Sequence, residues 1–144
     1  MRKCKQKQDR KIYVIKAILS DWEGRVRGKP YRILAIAGEF TLYALAESIV
    51  KAFDFDFDHA FGFYDNIKHW IDSRECYELF KDIEEDDWLE PSPCKSVKKS
   101  RVNKVFDSIG RLCYLKGELI FSFIYVRKEK DTSTYSTLGC LLGL

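Results

Sequence analysis

The chain has 144 residues, 46% of them hydrophobic and 15% aromatic, with a formal net charge of +3. That length suits one domain, and that apolar content supports a packed core, which excludes disorder of the whole chain. No apolar run approaches the roughly 20 residues that span a bilayer, and a charge this small supplies little long-range pull on nucleic acid.

Residues 1–11 are basic and read as a solvated tail. A secretory leader is not expected: Lys16 interrupts the apolar stretch that follows, and Asp21, Trp22 and Glu23 stand where small residues should mark cleavage. Residues 12–19 are apolar and rich in β-branched side chains, and 31–37 have the same character. Gly24, Gly28 and Pro30 lie between them, so the two segments predict strands joined as a hairpin.

Thr41 then offers a hydroxyl as helix N-cap, and Leu42, Leu45, Ala46, Ile49, Val50 and Phe53 recur at helical spacing. This is the clearest amphipathic helix, and its apolar stripe needs a sheet to lie on. The run 53–58 alternates Phe with Asp and predicts a turn, followed by a strand over 61–64 and another short one within 77–81. Acid clusters and two prolines make 84–93 an exposed loop.

A second, shorter helix is predicted over 101–109, with Val102, Val105, Phe106 and Ile109 on one face and Gly110 suited to the left-handed position beyond its end. Strands over 112–115 and 119–126 follow, joined by a tight turn at Lys116-Gly117. The second is apolar on both faces and predicts a central, covered strand or a partner surface. The fold class is therefore α+β: a single mixed or antiparallel sheet with two packed helices and a ββα, β-grasp-like opening. The domain spans 12–126, and residues 127–144, rich in Ser, Thr and Gly, form a weakly ordered tail. Cys140 stands one residue too far from the last position for a prenylation box.

Five cysteines, Cys4, Cys76, Cys94, Cys113 and Cys140, are odd in number, widely spaced and without a Cys-x-x-Cys pair. The expectation is five free thiols in a reducing, cytoplasmic setting with no membrane partner. Cys113 falls inside a predicted strand, where a thiol is inert. The acidic stretch 47–90 and the basic stretches 2–11 and 95–116 are expected mainly to neutralise each other.

Asp54, Asp56 and Asp58 occupy the first three ligand positions of a calcium loop, with Asp65 at the twelfth. His59 stands at the sixth position, however, where a sharp turn demands glycine. Alternating Phe and Asp more simply buries rings and solvates carboxylates. His59 and His69 have no cysteine near them in sequence, so no zinc site is expected, and no other cofactor has a motif. No nucleophile elbow, phosphate loop or dinucleotide fingerprint occurs, and no catalytic residue is assigned. Lys95, Lys98, Lys99, Arg101 and Lys104 cluster at a predicted helix start and are the candidate nucleic-acid contacts.

Pro30-Tyr31-Arg32, Thr41-Leu42-Tyr43-Ala44-Leu45-Ala46 and Asp58-His59-Ala60-Phe61-Gly62-Phe63-Tyr64 together resemble a known family. These are the domains named after the third open reading frame of the Agrobacterium rhizogenes pRi plasmid. The resemblance extends through Tyr77-Glu78-Leu79-Phe80, Ser96-Val97-Lys98-Lys99 and Val105-Phe106, covering about 12–126. It implies a small α+β domain of bacteria and archaea, often on mobile elements, some members being labelled resolvases or repressors. The chain departs from the pattern at Tyr114-Leu115-Lys116-Gly117-Glu118-Leu119-Ile120, which lacks an Asp and a Trp usual in the last hairpin. Arg32, Asp58 and His59 are the polar positions that still match, and they are the expected ligand-binding set, converging where the helix meets the sheet.

The leading expectation is a non-enzymatic module that binds an unknown protein or small ligand through one sheet face and the Asp58–His59 turn. A nucleic-acid-associated protein using residues 95–104 is the alternative, and an enzyme acting through His59 and nearby carboxylates comes third.

Overall fold

The computed structural model describes residues 11–20, 30–66, 69–83, 92–109, 111–116 and 123–128. The chain opens with β1 (Ile12–Ser20), β2 (Tyr31–Ala37) and α1 (Leu42–Ala52). β3 (Phe61–Tyr64), β4 (Cys76–Glu78) and β5 (Lys95–Ser96) follow, then α2 (Val102–Ser108), β6 (Arg111–Lys116) and β7 (Phe123–Lys128). The strands make one seven-stranded sheet in the order β2-β1-β7-β6-β3-β4-β5. Every pairing is antiparallel except β4 with β5. The α+β class, the single mixed sheet, the two helices and the ββα opening are as the sequence predicts.

Side-chain alternation decides where the helices go. Tyr13, Ile15 and Ala17 of β1 are fully buried, and the register sets Ile36 opposite Tyr13 and Leu34 opposite Ile15. Against this face α1 buries Leu42, Leu45, Ala46, Ile49 and Val50, and α2 adds Val102, Val105 and Phe106. Phe61 and Phe63 of β3 and Leu112 of β6 complete the same cluster. Each fully buried Leu, Ile or Val stabilises by roughly 1.5–3 kcal/mol relative to exposure, so the α1 stripe is the main anchor of the helical layer. Thr41 caps α1 as predicted, its Oγ1 accepting from the Ala44 amide at 3.1 Å.

The opposite face carries a smaller cluster, Tyr64 with Cys94 and Cys76. A Cβ on Gly62 would lie 2.6 Å from Tyr64 Oη and 2.8 Å from ring atoms, so the ring folds back over a residue that must have no side chain. The phenol then donates to Glu78 Oε1 at 2.6 Å, directly across the β3–β4 ladder from Gly62.

Cys76 and Cys94 form a disulfide with Cα atoms 4.8 Å apart, which overturns the expectation that all five cysteines are unpaired. Parallel pairing sets Lys95 opposite Tyr77, so the two residues just before them stand side by side. Counting and spacing cannot reveal a parallel contact between strands this short. The bridge also removes the cysteine argument for a reducing compartment. Cys4 and Cys140, with the side chain of Cys113, lie outside the described residues.

Two strands, β4 and β7, differ from expectation by more than one residue. The strand expected within 77–81 ends at Glu78, where the chain enters a 3-10 turn, Phe80–Asp82, closed by Ile83 donating to the Phe80 carbonyl. A two-residue turn at Lys116-Gly117 would set Tyr114 opposite Leu119, whereas Tyr114 pairs with Ile124. β7 therefore starts at Phe123, ends at Lys128 beyond the expected boundary, and lies centrally between β1 and β6. The expectations for 1–10, for the hairpin loop 21–29, for 84–91, for Gly110, and for 117–122 and 129–144 lie outside the described residues.

α1 ends in a left-handed cap without glycine. Asp54 has φ of 59°, its amide donates to Lys51, and the Phe55 amide donates to Val50. This is the double backbone closure for which glycine is the usual residue. Asp54→Gly should raise stability by about 0.5 kcal/mol, whereas Asp54→Val should lower it by about 1–2 kcal/mol, both read from denaturation midpoints.

Candidate functional site

Arg32 lies on the helix-facing side of β2 and is spent on structure. Its Nε donates to the Ala52 carbonyl at 2.7 Å, Nη1 donates to Tyr31 O at 3.0 Å, and the guanidinium lies 5.0 Å from the Phe53 ring centroid. A cation bonded to the last carbonyl of α1 satisfies an orphan acceptor and opposes the helix dipole.

Asp58 and His59 sit in the exposed connection from α1 to β3, and Asp58 Oδ1 pairs with Nδ1 of its neighbour His59. Arg32 bonds to neither of them, so the three expected ligand residues do not form one hydrogen-bonded cluster. In the Phe–Asp run Phe53 is buried and Phe57 packs on Tyr43 and Phe61, while Asp54, Asp56 and Asp58 are exposed. Phe55 stacks on Phe53 but stays 39% exposed, so the burial of rings is incomplete. Among the described residues no three His, Cys, Asp or Glu side chains gather to hold a metal ion.

The basic segment is woven into the fold. Lys95 bonds Glu75 at 2.5 Å, and Arg101 Nη1 donates to the Glu39 carbonyl at 2.7 Å. Lys98 lies 5.5 Å from the Tyr43 ring centroid and its amide donates to Asp82 Oδ2. The Lys99 amide donates to Ser96 Oγ and the Lys104 amide to Asn103 Oδ1. The bond from Lys95 holds the Glu75 carboxyl below the usual carboxylate range, while burial, aided by that carboxylate, pushes the Tyr77 phenol upward.

The two helix starts cap each other. Leu42 and Tyr43 of α1 donate to the carbonyls of Ser100 and Val97, at 3.0 and 3.1 Å. Val102 and Asn103 of α2 donate to those of Phe40 and Gly38, both at 2.9 Å. These amides, which at an open helix start would receive a phosphate, are already bonded.

Sequence reasoning missed the edge of the sheet at β2. Leu19 donates to the Pro30 carbonyl and Gly38 to that of Lys11, so the even-numbered residues of β2 bond to β1. Ile33 and Ala35 therefore turn their amides and carbonyls outward at the edge. The exposed side chains of Tyr31 and Ile33, half and 41% accessible, flank them on the face away from the helices. Strand order is the signal needed here, and hydropathy does not contain it.

Among the described residues no helix is long and apolar enough to cross a membrane. No family model and no curated protein matches the chain. A solved structure does: the crystal structure of a protein of unknown function, MM3350, from Methanosarcina mazei Go1. It matches with a TM-score of 0.61 at 16% sequence identity. The match covers 83% of this chain and 60% of that one, so the chain spans less than two thirds of its neighbour's length. At this identity the likeness is one of fold.

Proposed function

We propose that the chain is a non-enzymatic binding module, akin to the plasmid third-open-reading-frame domains, that takes an extended segment of a partner protein along β2. The observation that carries this reading is the β2 edge, with outward main-chain groups at Ile33 and Ala35 beside exposed Tyr31 and Ile33. An added strand would satisfy those groups in the manner of β-augmentation. Seven consecutive residues of β2 pair with β1 without a bulge, and its one charge, Arg32, is folded onto α1. Among the described residues, the side of β2 away from the helices therefore carries neither a bulge nor a charge to discourage strand addition.

Proline at position 35 tests the reading, because it removes an outward donor without breaking a β1–β2 bond. A photo-crosslinking residue at position 33 in the full chain should give a discrete adduct in the producing cells. Ala35→Pro should abolish that adduct while leaving the melting temperature nearly unchanged. An adduct that survives Ala35→Pro overturns strand addition. Loss on Lys98→Glu with Lys99→Glu, together with steep salt dependence, would favour the nucleic-acid alternative instead.

A further inference from the structure

The edge of the sheet opposite β2 is held in a different way. β5 has two residues, and its ladder with β4 is limited to Tyr77 with Lys95 and Glu78 with Ser96. A pairing this short supplies little stability of its own. It is reinforced by the Cys76–Cys94 bridge, the Lys95–Glu75 ion pair and the bond from Ser96 Oγ to Asp82 Oδ1. The ion pair lies at the surface, where such pairs contribute little. The covalent link is the strong tie.

The placement of the bridge separates it from the main core. Neither cysteine belongs to the cluster that unites both helices with β1, β2 and β3; they pack with Tyr64 on the other face. The bridge therefore acts on the short strand that Cys94 leads into, which carries Lys95. Its reach ends at Val97, which is fully buried in the main core and whose carbonyl accepts from the Tyr43 amide at 3.1 Å.

We propose that Cys76–Cys94 is a reversible redox clasp that fixes β5 on β4 or releases it. A dithiol reductant supplies the electrons. Its thiolate attacks the sulfur of Cys76, the more accessible partner, because Cys94 is 8% exposed and packed on Tyr64. The Cys76–Cys94 bond breaks as a mixed disulfide forms at Cys76, and Cys94 leaves as a thiolate that takes up a proton. The second thiol of the reductant then displaces Cys76, which is also protonated. Two electrons and two protons have passed to the protein, and the reductant has become a disulfide. In the reduced form β5 separates from β4 and Lys95 leaves Glu75, while Val97 keeps its place in the core and its bond from the Tyr43 amide. Reoxidation closes it.

Hydrogen exchange on the full chain, with and without dithiothreitol, tests the clasp. Thiol counting should show two additional free thiols on reduction, mapped to Cys76 and Cys94. Exchange over 94–96 should accelerate by roughly tenfold or more, as expected for local opening, while β1 and the buried face of α1 keep their protection. Trypsin should cut after Lys95 faster in the reduced protein. Cys94→Ser should reproduce the open pattern without reductant, and reduction of the unmodified chain gives the same reading should that variant fold poorly. Free thiols at both positions in the oxidised protein would overturn the proposal. So would unchanged exchange over 94–96, and so would loss of protection across the whole domain, which would make the bridge a global staple.

Discussion

Phe63→Ala should destabilise the domain by about 3–5 kcal/mol, the range for deleting a fully buried phenyl ring. Phe63 is wholly inaccessible, at the centre of a strand paired on both sides. Its ring meets Phe61 edge to face at 6.3 Å, and its Cα partners are Tyr77 on β4 and Tyr114 on β6. Neighbours held by two ladders cannot collapse into the vacated space, so the upper part of the range applies. Urea denaturation measures the loss directly as a lowered midpoint at unchanged slope. A loss under about 1 kcal/mol would contradict burial of this ring.

A substitution at Gly38 should be nearly as costly for the opposite reason. A Cβ there would lie 2.7 Å from Tyr13 Cε2, 2.9 Å from Asn103 Cβ and 3.3 Å from the Lys11 carbonyl oxygen. None of these neighbours can retreat freely. Tyr13 is buried and its phenol donates to Asp107 Oδ1 at 2.8 Å, where Lys11 Nζ also bonds. Asn103 is held by its amide on the Gly38 carbonyl itself. Gly38→Val should therefore cost about 3 kcal/mol, the upper part of the overpacking range, with Gly38→Ala intermediate. The same denaturation series measures both, and a neutral Gly38→Val would show that the junction between the β2–α1 loop and α2 is looser than described.

Much of the fold was legible because two periodicities are written plainly in the chain. Residues 31–37 and 61–64 match β2 and β3, and the stripe from Leu42 to Val50 names the residues that α1 buries. Where the reading failed, the deciding contact was remote in sequence. The bridge depends on a parallel pairing across 18 residues, and the last hairpin on a register fixed by partners on both sides of β7. The candidate site was less legible. Resemblance alone singles out Arg32 and does not distinguish a ligand contact from a helix cap, and here the guanidinium meets Ala52 O. Likewise, Lys95 and Arg101 count as basic in composition although Glu75 and a backbone carbonyl already hold them. The β2 edge was invisible because a chain does not announce which of its strands will lie outermost.

The mutual capping of α1 and α2 has a kinetic consequence. A helix nucleus is unfavourable until its first turn is secured. Here the carbonyls that secure each first turn come from a segment some 60 residues away, as Leu42 on Ser100 and Asn103 on Gly38 show. Neither helix can be completed early as a local event, because each waits for a loop of that length to close. Both then form in one step with the central sheet, where β1 also waits for β7. The chain is thereby a slow, non-local folder for its size, although its clearest sequence signal is helical.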